Sequence, residues 1–310
     1  MTEADIALQE TNKILVSGRK HRGLWADAFR RLIRNRLALL ALVALALIIV
    51  ITLLGNYVAE FQRYTPREQD YDVIHQSPSQ DHFFGTDQLG RDTWSRVLQG
   101  MLISLQVGLG VQVVALTIGL LVGGIAALGG RALDNIMMRI TDLAYAFPDL
   151  LFIILLREAL RGKDWPVIEE PVVQIIVAIS FVAWVTIARL VRGQMLTLKE
   201  MDFVLAAEAM GATRRRIVFQ HMLPNTLGPV IVAVIFGIPL AIFAEAVLGF
   251  IGIGVPVPTA SLGVLVADGN AFVRLNVWMV IFPASAIGLL MLCFTFLGDG
   301  LRDALDPRGR

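Results

Sequence analysis

The stretch "LALLALVALALIIVITLLGNYV", residues 37–58, decides the class of fold. It carries no charged residue, and as a helix at ~1.5 Å per residue it reaches across a hydrocarbon core of ~30 Å. A soluble domain breaks its apolar residues into shorter periodic runs. Five further apolar blocks follow, at about 102–128, 136–156, 172–190, 227–250 and 277–297. The composition agrees: of 310 residues, 56% are apolar and 17% charged, with a mean hydropathy of +0.67. The expectation is an all-α, polytopic membrane protein with six transmembrane helices. Its parts are an arm (1–36), a first helix (37–58), a link (59–100), a five-helix core (101–300) containing a cytosolic segment (200–224), and a tail (301–310).

Lysine and arginine set the orientation, because they accumulate on the cytoplasmic side. The arm holds Lys13, Arg19, Lys20, Arg22, Arg30, Arg31, Arg34 and Arg36. The connection between the fourth and fifth blocks holds Arg189, Arg192, Lys199, Arg214, Arg215 and Arg216. The link 59–100 has seven acids, from Glu60 to Asp92, against four arginines. Both termini and the segment 200–224 are therefore expected in the cytoplasm. The first apolar run is too long for a cleaved leader and reads as a retained anchor.

A net charge of +1, with no basic tract interleaved with aromatics, gives no sign of nucleic-acid binding. The single cysteine, Cys293, lies inside the last apolar block and excludes a disulfide framework or a cysteine zinc site. It reads as a packing residue.

Ala115, Gly119, Gly123 and Ala127 recur every fourth residue in the second block. Small residues at that spacing let helix backbones approach closely, within the chain or between subunits. In the fifth block Pro239 removes a backbone donor and is expected to kink the helix. The glycines and prolines of "EAVLGFIGIGVPVPTASLG", residues 245–263, then end it in a structured external turn or re-entrant segment.

Between the fourth and fifth blocks runs "AAEAMGATRRRIVFQHMLPNT", residues 206–226. Ala206, Ala207 and Met210 read as a short helix, Gly211 as its left-handed cap and Thr213 as the cap of a second helix. The arginines Arg214 to Arg216 stay solvated, and Pro224 reads as the turn into the fifth block. Such a segment is either a rigid knob for a cytosolic partner or an interfacial helix holding lipid phosphates.

The pattern "AA(x)3G(x)9HMLP", residues 206–224, resembles the cytoplasmic loop of permease subunits in binding-protein-dependent ABC importers. "HFFGTDQLGRDTWSRVLQGMLISLQVGL" (82–109), "LDNIMMRITDLAYAFPDLL" (133–151) and the segment 245–263 are similar to the peptide/nickel group of that family. The arm and single span before a five-span core resemble its second, C-type permease. The resemblance implies a type I importer permease fold, and a coupling helix formed by Leu205, Ala206, Ala207, Glu208, Gly211, Ala212, Thr213, His221, Leu223 and Pro224. Leu205 stands where the family often has glutamate, with Glu208 one turn later; Leu262 stands where an aromatic is common.

The resemblance further implies a related second permease, one or two ATPase subunits that bind ATP and Mg, and an extracytoplasmic binding protein in a bacterial or archaeal plasma membrane. This chain itself would carry no cofactor and no metal. It has no Walker A loop, since "GATRRR" lacks the Gly-Lys-Ser/Thr end. Peptides are the expected cargo, with nickel or another small solute as the alternative.

Three charged sets stand out. Glu245, deep in the fifth block, either lines a path or clamps its helix to the external turn, because a charge facing lipid costs about 2.5–3.5 kcal/mol. Arg139 and Asp142, three apart, read as a same-face pair or a gate. Asp87, Arg91 and Asp92 either touch the binding protein or cap the second block, with Gly85 and Gly90 making turns. An ion-coupled transporter wants inverted repeats and buried proton sites. An intramembrane enzyme wants a His-Glu-x-x-His or Gly-x-Ser-x-Gly motif. The sequence has one deep carboxylate, no obvious repeat and neither enzyme motif, which leaves an ion-coupled secondary transporter as the remote alternative.

Overall fold

The computed structural model describes residues 24–58, 61–162 and 170–305. The basic residues of the arm before position 24 and the tail beyond 305 lie outside them. The described residues contain helices and no strands. Helix α1 (Leu24–Arg34) is amphipathic. It hands over to α2 (Arg36–Tyr57) at Asn35, whose Oδ1 accepts from the Leu37 and Ala38 amides and satisfies two donors that a helix start leaves open. Beyond the link come α3 (Thr93–Leu128), α4 (Arg131–Tyr145), α5 (Asp149–Leu160), α6 (Pro171–Lys199) and α7 (Asp202–Ala209). The chain continues in α8 (Arg214–Phe250), α9 (Leu262–Ala271) and α10 (Trp278–Leu305).

Five of these helices, α2, α3, α6, α8 and α10, are long and apolar enough to cross a membrane. The block expected at 136–156 departs from the six-span reading: it is broken into α4 and α5, of 15 and 12 residues. Each half extends only ~18–22 Å, short of a hydrocarbon core. Pro148 causes the break. It offers no amide, and its ring drives Phe147 out of helical conformation, so α4 stops at Tyr145 and α5 restarts behind Pro148. The second block is longer than expected, because its helix begins at Thr93 in the link.

The stripe Ala115, Gly119, Gly123, Ala127 packs within the chain. A methyl at Gly119 would stand 2.6 Å from Ile187 Cβ, and one at Gly123 would stand 2.4 Å from the Ala188 carbonyl. Both neighbours lie on α6, so α3 and α6 meet backbone to backbone. Ala115, Ala127, Trp184, Val185, Ala188 and Val191 bury this seam. Leu45, Ile242, Leu262, Leu290 and Phe294 tie α2, α8, α9 and α10 into a second cluster, which also holds the buried Cys293.

Pro224 does not turn the chain. Residues 214–250 form one helix in which 217–222 are wound as a π-helix, and the Leu223 amide donates five residues back to Val218. A proline ring crowds the carbonyl four residues earlier; the wider π turn relieves that clash without ending the helix. Pro229 and Pro239 follow in the same helix.

Candidate functional site

At the arginine-rich end the chain builds an elbow. Helix α7 stops at Ala209, Gly211 takes φ +79°, and the Thr213 hydroxyl accepts from the Arg216 amide at 3.4 Å. Gly211 is needed for its positive φ alone, because nothing stands within 4 Å of where a side chain would begin and only the left-handed backbone would be strained by one. Val204 and Ala207 turn inward and pack with Val191 and Met195 of α6 and Ile217 and Met222 of α8. Leu205, Ala206, Glu208 and Met210 turn outward, Met210 with 81% of its surface exposed. Ala207, only 4% exposed, is thus the anchor of the elbow and not part of its free face. Ala212, His221 and Leu223 are half-buried at its base, and Pro224 is exposed.

The elbow is braced on both sides. The Arg214 guanidinium donates to the Leu128 carbonyl, one of the open acceptors at the end of α3. Arg192 on α6 forks onto Asp134 of α4, with Nη2 donating to Oδ2 at 2.7 Å. The ends of α3, α4, α6 and α8 that meet at the elbow are therefore tied to one another around α7. Asp142 pairs with Arg189 at 2.9 Å, across to α6, and not with Arg139. Arg139 is exposed and makes no ion pair among the described residues. The i,i+3 expectation fails because the facing helix offers Asp142 a cation at better geometry.

At the opposite end, Asp87, Arg91 and Asp92 are buried, and Asp87 and Arg91 face each other. Asp87 Oδ1 accepts from the Leu89 and Arg91 amides, and its Oδ2 takes Arg91 Nε at 2.6 Å together with Arg96. Asp92 caps α3 through the Ser95 amide at 2.8 Å and meets His82 at 3.0 Å. Gly90, at φ +68°, passes so close to Asp70 that any side chain would collide with its carbonyl. The capping geometry is what these residues carry. Their side chains are covered by the link and do not present a surface to a binding protein.

Glu245 is 0% exposed. Ser104 of α3 donates to its Oε2 at 2.9 Å, so it clamps α8 to α3, a partner the sequence did not single out. Its Oε1 and the Ser261 hydroxyl beside it make no hydrogen bond of standard length. Glu245 does not line the apolar groove between α5, α6 and α8. That groove, about 530 Å³, is walled mostly by apolar side chains of α5, α6 and α8, with Gln112, Tyr145, Asp149 and Thr186 as its polar points. Asp149 was not singled out from the sequence, and its exposure follows from the Pro148 break, which no periodicity announces.

Comparison with known proteins gives consistent matches. Residues 83–310 match the family described as binding-protein-dependent transport system inner membrane component. Residues 23–78 match the N-terminal transmembrane domain of oligopeptide transport permease C. The chain is 40% identical to the oligopeptide transport system permease protein OppC of Bacillus subtilis (strain 168), over 94% of this chain and 92% of that protein. It is 42% identical to the dipeptide transport system permease protein DppC of the same organism, over 92% and 86% respectively. Among solved structures it resembles the inward-facing MetNI methionine ABC transporter, with TM-score 0.54 and 20% identity over 68% of this chain and 96% of that one. That last likeness concerns the fold alone.

Proposed function

The chain belongs to the family of binding-protein-dependent transport system inner membrane components, and we propose that it forms half of an ATP-driven import path for di- or oligopeptides. It is a multi-pass permease subunit of an ABC importer, a transport component and not an enzyme. The peptide reading is supported by what the relatives at about 40% identity are named for. The partners are a second, related permease, cytosolic ATPase subunits that bind ATP and Mg, and a binding protein outside. The arm, the elbow and the tail lie in the cytoplasm of a prokaryotic inner membrane, in line with the arginine distribution.

The single observation that carries the coupling role is the two-sided elbow: α7 has an inward face welded to α6 and α8, and an outward face of Leu205 and Ala206, continued by its cap Met210, that nothing among the described residues covers. A helix fixed in this way transmits a push as a rigid body. When nucleotide binding draws the ATPase subunits together, α7 moves and carries the inner ends of α6 and α8 with it. The groove beside Asp149 then changes width, which alternates access to the path. Glu208, exposed beside Leu205, supplies the loop's carboxylate.

Ala206→Glu and Met210→Glu test this on the exposed face. Peptide uptake should fall at least tenfold while membrane insertion and copurification with the second permease persist. Uptake at the normal rate in both variants would remove the coupling role of α7.

A further inference from the structure

We propose that Arg157, at the mouth opposite the elbow, is an anion site that takes the terminal carboxylate of the peptide in transit; the proposal rests on the peptide reading above. Arg157 ends α5 with 5% of its surface exposed. Its Nη1 donates to Gln174 Oε1 at 2.7 Å, a neutral partner, and its Nε has no hydrogen bond. Among the described residues no carboxylate pairs with it: Glu158 is engaged by Arg161 at 3.5 Å, and Asp268 by Arg96 at 3.4 Å. A buried cation without a counter-ion is unfavourable, and the partial negative charge at the end of α5 offsets only part of that.

The guanidinium lines a cavity of about 370 Å³ walled by the ends of α5, α6 and α8, the turn after α8, and α9. That volume holds on the order of ten waters, so an incoming charged group need not be stripped of all hydration at once. Arginine presents a planar fork of donors suited to a carboxylate. Asp268 lines the same cavity, so cation and carboxylate together match the charge pattern of a zwitterion. A site at this mouth meets the peptide before the membrane interior does, and holds its most costly group while the apolar groove opens.

The test uses the intact importer in vesicles with its binding protein. Ala267→Cys places a thiol on the cavity wall, and the native Cys293 is buried. Labelling rates are compared for two methanethiosulfonate reagents, one bearing a sulfonate and one a trimethylammonium. The ratio of anionic to cationic rates should drop about tenfold, equivalent to about 1.4 kcal/mol, when Arg157→Gln is added, and should be retained with Arg157→Lys. A peptide that wild-type vesicles import should slow labelling, whereas its C-terminal amide should not.

An unchanged ratio in Arg157→Gln overturns the anion site. A ratio that falls while peptide and amide protect equally, or neither protects, overturns the carboxylate assignment. In that case dependence of labelling on the fraction of anionic lipid would assign the site to a headgroup phosphate. Absence of peptide import by the wild-type vesicles would instead refute the peptide function, independently of the labelling ratio.

Discussion

Gly123 and Gly124 are neighbours in α3, and a single methyl added to each should have opposite consequences. At Gly123 the methyl would sit 2.4 Å from the Ala188 carbonyl and 2.8 Å from Val191 Cβ, both fixed parts of α6. Neither atom is the free end of a flexible chain, so α3 and α6 must separate by several tenths of an ångström. Overpacking of that kind costs about 1–3 kcal/mol. At Gly124 nothing lies within 4 Å of the methyl, and alanine is favoured over glycine in a helix by about 1 kcal/mol. That preference applies at both positions and cancels, so Gly123→Ala should be less stable than Gly124→Ala by the overpacking cost alone, about 1–3 kcal/mol. Thermal unfolding of the purified chain in one detergent, followed by tryptophan fluorescence, measures the difference as a lower midpoint for Gly123→Ala. Equal midpoints would show that the α3–α6 seam has room to spare, and would refute the close approach on which the packing account depends.

Three further substitutions probe the charged sets. Asp87→Asn leaves Arg91 and Arg96 without their buried carboxylate and should destabilise the outer link by about 3–5 kcal/mol, read as accelerated proteolysis between α2 and α3. Glu245→Gln keeps an acceptor for Ser104 and should leave peptide uptake within about twofold, whereas Glu245→Leu strands the Ser104 hydroxyl and should lower the unfolding midpoint by an amount matching about 1–3 kcal/mol. Arg139→Ala should be silent in both assays. Asp142→Asn removes only a half-exposed pair with Arg189 and should cost no more than about 1 kcal/mol in thermal stability.

The apolar blocks were legible because membrane helices must satisfy every backbone group internally, which forces long runs free of charge. The elbow was legible for a related reason. Gly211 and Thr213 are residues whose local chemistry suits them to caps whatever surrounds them. What stayed hidden depended on neighbours far along the chain. Asp142 chose Arg189, 47 residues away, over Arg139 on its own helix. Ala206 and Ala207 are the same residue type in the same motif, yet one faces solvent and the other the core. Pro148 and Pro224 look alike in sequence, and one breaks a helix while the other is absorbed by a π turn. Arg157 gave no signal, because its lack of a carboxylate partner among the described residues is a property of three helices meeting.

The central claim is that the outward face of α7 docks on the cytosolic ATPase. A photo-crosslinking amino acid at Met210, with one at Tyr71 on the link as control (64% exposed), tests it most directly in the assembled importer. The account predicts that the probe at 210 attaches to the ATPase subunit and the probe at 71 does not. Attachment of the 210 probe to lipid alone, in complexes that still hydrolyse ATP in response to the loaded binding protein, would contradict it.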